Sequence, residues 1–295
     1  MTNLDKMYEE LDFTNDLIFK HVLSSDIELC KDLINRIDPD IDTEGIRFVE
    51  TEHEIIVGVK DEKRVRFDIM ARNDFSINEL EMYAYKPKGY PESFPKTARY
   101  NAAMIDSQLT KNHLPADLPD VTVILLCTFD PLGKNEPVYH IRAKVDEYPD
   151  YEYNEGRRIC ILTNAGIEKA PENLKPITYL LSRSKEPMDD AFYQKIQAAV
   201  KEIKTDPDVR RAAMNQLERD EAIKEKGREE GREEGRKEGM IEGKNEGRRE
   251  ERQESILKMI QVLKGMNLPD DQILTTVTES YPENIETIRN MLNIR

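Results

Sequence analysis

Residues 64–85 read RVRFDIMARNDFSINELEMYAY, two alternating apolar–polar runs separated by Asn73-Asp74-Phe75-Ser76. Period-two alternation is the signature of strands with one face buried, and a short polar break of this kind reads as a hairpin turn. With the turn at Asn73 to Ser76, the strands pair antiparallel and Asp68 falls opposite Glu81. Opposing Cβ atoms in such a ladder lie about 4.5–5.5 Å apart. Alternation further places Glu79, Glu81 and Tyr83 on one face and Leu80 and Met82 on the other, with Phe67 and Ile69 both turned away from Asp68. Two facing carboxylates repel unless a cation sits between them or one takes a proton. A solvated acidic sheet face and a metal site both satisfy this pattern, and a one-residue slip in register would separate the pair.

Working outward, IRFVE and EIIVGVK (46–60) extend the strand region upstream. Before them, TNDLIFKHVL and SSDIELCKDLINRI read as two short helices, capped at Thr14 or Asn15 and at Ser25 or Asp26. Downstream, a helix is expected from just after Pro95 to about Asn112. VTVILLCTF reads as a buried strand, and PVYHIRAKV and RRICILTN as further strands. Helix, hairpin, helix, then strands is the pattern of an α/β or α+β domain with a mixed sheet. Beyond about residue 171 the pattern is helical: NLKPITYLLSR, AFYQKIQAAVKEIK, VRRAAMNQLERDEAIKEK, and a tail broken at Gly265-Met266-Asn267 and Tyr281-Pro282.

The 295 residues carry a net charge of −15, which argues against non-specific nucleic-acid binding by the whole surface but leaves room for a local basic groove. No window is apolar enough for a membrane span, and the acidic N-terminal stretch does not read as a signal peptide. Cys30, Cys127 and Cys160 are odd in number and widely spaced, so the expectation is reduced thiols in a cytoplasmic protein with no thiolate metal site. His21, His53, His113 and His140 show no ligand spacing and are assigned no role.

Residues 227–247 place a glycine at every fourth position, from Gly227 to Gly247. Six glycines cost a helix about 3–6 kcal/mol relative to alanine, whereas flanking ion pairs return about 1–2 kcal/mol. The segment reads as a marginal helix or spacer, with self-association through the C-terminal helices as the alternative. Residues 221–253 hold 10 basic and 11 acidic side chains, so the segment is nearly neutral.

An aspartate followed some ten to fifteen residues later by Glu-x-Lys on the next strand is the layout of PD-(D/E)XK nucleases. More closely, TNDLIFKHVL, VRFDIMARN, INELEMY, FPKTARYNAAMIDSQL and VTVILLCTFDPLGKNEPVYHIR resemble, in order, the Rpn family of recombination-promoting, transposase-like nucleases. The resemblance covers about residues 12–220, and a glycine-charged tail is familiar in that family. It implies a restriction-endonuclease-like α/β mixed sheet flanked by helices, with an α-helical C-terminal extension. The expected organisation is a nuclease-like domain at 1–185, a helical extension at 186–226, the repeat at 227–250 and a small helical tail at 251–295.

The resemblance also implies a metal-dependent DNA endonuclease with Asp68 and Glu81 as Mg²⁺-binding carboxylates and Tyr83 as the third site position. The family has Glu-x-Gln and its wider relatives Glu-x-Lys, so Tyr83 departs from both. A tyrosine brings no positive charge to the scissile phosphate and, with an ordinary pKa of about 10, is a poor base at neutral pH. Lys86, Lys96 or Arg99 could supply the missing cation, Asp16 a further carboxylate, and Arg99 and Tyr100 a contact to DNA phosphate. The alternative is a catalytically impaired nuclease fold that binds DNA or protein.

Overall fold

The structure is a computed structural model, and it describes residues 2–57, 63–109, 114–151 and 153–292. The chain divides into two compact units, Met1–Glu218 and Arg219–Arg295.

The first unit is built on a six-stranded mixed sheet: β1 (Phe48–Val57), β2 (Lys63–Arg72), β3 (Ser76–Tyr83), β4 (Asp120–Cys127), β5 (Val138–Ile141) and β6 (Arg157–Leu162), in the spatial order β1-β2-β3-β4-β6-β5. IRFVE and EIIVGVK thus contribute to a single strand. The pairs β1–β2, β2–β3 and β5–β6 are antiparallel; β3–β4 and β4–β6 are parallel.

The hairpin register matches the expectation, with Ile69 opposite Leu80, Met70 opposite Glu79 and Arg72 opposite Ile77. Its turn is held by one side chain. Asn73 Oδ1 accepts from the backbone N–H of Phe75 and of Ser76, both at 2.7 Å, which is how an Asx side chain mimics backbone in a tight turn.

Helices cover both faces. On one side lie α2 (Asp16–Ser25), α3 (Ile27–Ile37), α5 (Lys175–Leu181) and α6 (Ala191–Ile203); Phe19, Leu23, Leu33, Ile177 and Ile196 pack there against Ile69, Leu80, Ile124 and Leu126. Asn15 caps α2 through the Ile18 N–H, and Asp26 caps α3 through that of Leu29. On the other side α4 (Phe94–Leu109) sets Phe94, Ala98, Ala102 and Ile105 against Met70, Val121, Val123 and Leu125. Residues 110–113, where this helix was expected to end, lie outside the described residues. Because β4 feeds both layers, it is buried from Val121 to Cys127 and its run from Val123 to Cys127 is apolar rather than alternating. The FDPLG turn is tied by Asp130, whose carboxylate accepts from the N–H groups of Leu132, Gly133 and Asn135 and from Tyr139 Oη. That motif therefore works as a structural clamp.

A short α1 (Asn3–Glu9) buries Tyr8 against Ala213 and Leu217 at the start of α7 (Pro207–Gly265). Helix is assigned throughout the glycine repeat, so of helix and spacer the structure has helix. Every residue from 222 to 252 is exposed, and a Cβ built on any of the six repeat glycines would meet nothing within 4 Å.

In the second unit Ile256 and Ile260 of α7 pack with Ile273 and Val277 of α8 (Asp270–Ser280) and Ile288 and Leu292 of α9 (Ile285–Leu292). The break after Gly265 is made by Asn267 in the left-handed region (φ 56°), a common way to end a helix. Among the described residues no helix is long and apolar enough to cross a membrane.

A candidate acidic site around Lys20

The sheet opens at Asp68. On the β1 side, Thr51 opposes Ile69 and His53 opposes Phe67, but the step between them, Glu52 facing Asp68, drops out of the ladder. Glu52 there holds φ at 53°, a left-handed conformation that a non-glycine residue adopts only at a cost. On the β3 side, pairing stops at Ile69–Leu80, and the Met82 N–H donates to Asp68 Oδ2 at 3.2 Å. Phe67 consequently packs in the α4 layer and Ile69 in the opposite one, so the expectation that both turn the same way is corrected. The interruption of the ladder at Glu52 and Asp68 separates them.

Into this gap comes Lys20 from α2, its side chain only 8% exposed. Its ammonium lies 2.9 Å from Asp16 Oδ2, 3.0 Å from Asp68 Oδ1 and 3.7 Å from Glu52 Oε1. Burial alone would favour the neutral amine, but the hydrogen bond to Asp16 and the charge of Asp68 outweigh it and raise the lysine's pKa. Lys20 is therefore charged and sits where sequence reasoning sought a cation further downstream. Lys96 and Arg99 are exposed on the first turns of α4, and Lys86 stacks 4.9 Å over the Tyr90 ring. The sequence signal for Lys20 was there in Asp16-x-x-x-Lys20, an i,i+4 ion pair set within the apolar TNDLIFKHVL. Asp16 thus joins the site while Asn15 does the capping.

Beside this group lie Glu81 and Glu79. Burial first, then the charge of Asp68, lifts Glu81 to about 7. Glu79 is wholly buried and pushed well above the carboxylate range by burial and by Glu81. Glu79 Oε1 accepts from Asn101 Nδ2 of α4 at 2.9 Å, whereas its Oε2 faces no donor. A proton shared between the two glutamates removes that defect, and burial supplies the drive to keep it there. Asp68 is likewise raised, by burial and by Asp16, against the pull of Lys20. Tyr83 is raised further above its ordinary value by burial, and its ring packs edge-on against Phe94 at 5.4 Å. Such a phenol acts as neither a base nor a charge. Arg99 and Tyr100 are exposed, and the next residue, Asn101, makes the contact to the site.

The site gathers Asp16, Glu52 and Asp68 around the Lys20 ammonium, with Glu79 and Glu81 beside them, and Arg66 Nη1 lies 3.7 Å from Glu52 Oε2. Among the described residues, however, only Asp38, His140 and Cys160 bring three candidate metal-donor atoms within 4.8 Å of one another. In the acidic site Lys20 occupies the space between Asp16 and Asp68. Comparison of the chain with protein-family models, with curated proteins and with solved structures returned no match.

Proposed function

We propose that the first unit is a restriction-endonuclease-like domain that hydrolyses phosphodiester bonds in DNA, with Asp68 and Glu81 as its metal-binding carboxylates. The observation that supports this reading is the convergence of Asp68, Glu81 and Lys20 where the hairpin splays. An acid on each of two neighbouring strands and a lysine beside them reproduce the chemistry of an Asp…Glu-x-Lys site, with the lysine delivered by a helix in place of Tyr83. The ordered resemblance of five segments to Rpn nucleases points the same way.

The donor set fits a hard divalent cation such as Mg²⁺: Asp68 and Glu81 offer carboxylate oxygens from two neighbouring strands, and the buried Glu79 Oε2 has no donor unless Glu81 carries a proton. When bound, the cation supplies an acidified water and neutralises charge growing on the phosphate. The chain's own groups divide the remaining work. Lys20 brings the positive charge that Tyr83 lacks, and Asp16 and Glu52 hold its ammonium in place. Glu79, anchored by Asn101, orients Glu81. Lys96, Arg99 and Tyr100, exposed on α4, are available for DNA phosphates.

One observation favours a second reading, in which the same fold binds DNA or protein without cutting. Lys20 already neutralises Asp68 and holds the acids apart, so an incoming cation competes with an internal salt bridge.

Supercoiled plasmid incubated with the full chain and Mg²⁺, Mn²⁺ or Ca²⁺ tests this directly. Nicking with Mg²⁺ or Mn²⁺ that is lost in Asp68→Ala and in Lys20→Met supports hydrolysis. Intact plasmid with every metal overturns it in favour of binding alone, and equal cutting by wild type and Asp68→Ala removes the site assignment.

A further inference from the structure

Asp38, His140 and Cys160 take no part in the acidic site, and they come from three separate places in the chain. Asp38 follows the last residue of α3, His140 lies on the edge strand β5, and Cys160 lies on β6 directly opposite His140 in the ladder. One oxygen, one nitrogen and one sulfur donor fall within 4.8 Å of one another. Asp38 and Cys160 are buried (3% and 1% exposed), while His140 reaches solvent. We propose that these three side chains form a binding site for a borderline-soft divalent cation of the Zn²⁺ or Co²⁺ class, which would fasten the end of α3 to the β5–β6 edge.

The donor chemistry selects the metal. Thiolate with imidazole and carboxylate is the ligand set of tetrahedral Zn²⁺, whereas Mg²⁺ takes oxygen ligands. A tetrahedral ion with bonds of roughly 2.0–2.3 Å holds its donor atoms about 3.3–3.8 Å apart, so the trio needs to close by about an ångström. His140 Nε2 lies 3.1 Å from the carbonyl oxygen of Ile37, next to Asp38 in the chain. That contact holds the ring toward the end of α3, as second partners do for ligating histidines.

Without metal, Asp38 is paired and the Cys160 thiol keeps its proton. Arg142 donates to Asp38 Oδ2 at 3.0 Å and also lies 3.6 Å from Asp40 Oδ2, and burial pushes the Cys160 thiol up to about 12. On binding, the sulfur–metal bond forms as the thiol proton leaves to solvent. Arg142, itself half exposed, gives up Asp38 and retains Asp40.

Titration of the full chain with Co²⁺ provides the test, because thiolate coordination gives a near-ultraviolet charge-transfer band and tetrahedral geometry gives intense visible bands. The expected result is saturation at one ion per chain, reversed by Zn²⁺ and unaffected by excess Mg²⁺. Cys160→Ser should abolish the charge-transfer band, His140→Ala should weaken binding by about tenfold or more, and Arg142→Gln should tighten it. His140 is exposed, so its variant tests the site even if Cys160→Ser fails to fold. Absence of the band in wild type overturns the proposal. So does an undiminished band in His140→Ala or Cys160→Ser, or competition by Mg²⁺. None of these outcomes depends on nuclease activity.

Discussion

The gap at Asp68 and the middle of α7 are both crowded with carboxylates and cations, yet their surroundings make them different chemistry. In the gap, Lys20 is 8% exposed and serves Asp16, Glu52 and Asp68 at once. In the helix, Glu233 and Lys237 meet at 2.9 Å with side chains 59% and 66% exposed. Water replaces the second interaction almost without loss, and nothing replaces the first. Charge count therefore says little about where charge matters, and the following variants should separate the two regions in order of effect.

The largest effect is expected from Lys20→Met, which keeps the apolar stem and removes the ammonium. It leaves Asp68 buried without its counter-charge, at a cost of about 3–5 kcal/mol in urea unfolding at pH 8. A loss below about 1 kcal/mol would mean that the gap is as well screened as the helix, and the contrast would collapse. Millimolar Mg²⁺ should restore part of the lost stability if the acids can take a cation in its place.

Next comes pH. Glu81 rises to about 7 and Glu79 also rises, so between their unfolded values and neutrality the folded state holds more protons than the unfolded chain. By linkage this means stability from these groups is present at low pH and falls as pH climbs from about 4.5 to about 7, opposite to an ordinary salt-bridged carboxylate. Glu81→Gln should remove the part of that slope that belongs to Glu81, leaving the part that burial imposes on Glu79. The stability gap between variant and wild type is expected to widen by on the order of 3 kcal/mol between pH 4.5 and pH 8. Parallel pH profiles for the two proteins would show that Glu81 titrates normally.

The hairpin was legible because alternation and an Asx turn are local features. Asn73 fixes the turn, and the turn fixes the register that brings Asp68 toward Glu81. The caps at Asn15 and Asp26, the buried strand within VTVILLCTF and the break before Asn267 were legible for the same reason. What stayed hidden depends on contacts remote in sequence. The i,i+4 pairing of Lys20 with Asp16 is visible in the sequence, but its role is not until the fold places Asp68 beside it, 48 positions along the chain. Glu52 shows no sign of its left-handed backbone. His140 and Cys160 have no ligand spacing in sequence because a strand pairing, not a helical turn, brings them together. The continuity of α7 through its glycines is a different case: local helix preferences weigh against it, and the exposed repeat shows no remote contact that accounts for it.

Those glycines give a smaller effect. Gly235→Ala should stabilise the helix by about 0.5–1 kcal/mol, since alanine lowers the entropy lost on helix formation. The new methyl group has open space around it. Slower amide exchange in the neighbouring turns, with the sheet's amides unchanged, is the expected readout. Faster exchange would mean that a close neighbour, such as a second copy, needs the bare backbone there.

The smallest effect belongs to the Glu233–Lys237 pair, and it tests the contrast from its weak side. Glu233 stands four residues before Lys237, the favourable orientation on a helix, and the 2.9 Å contact is as short as those Lys20 makes. If distance decided the energy, Glu233→Gln would rival Lys20→Met. Exposure says otherwise: both partners keep most of their hydration, both lose rotamer freedom in pairing, and salt screens what remains. The substitution should therefore cost no more than about 0.5 kcal/mol of helix stability and nothing measurable in molar salt. A cost approaching that of Lys20→Met, persisting in salt, would require the helix face at Glu233 to be covered, and would place that face inside an interface.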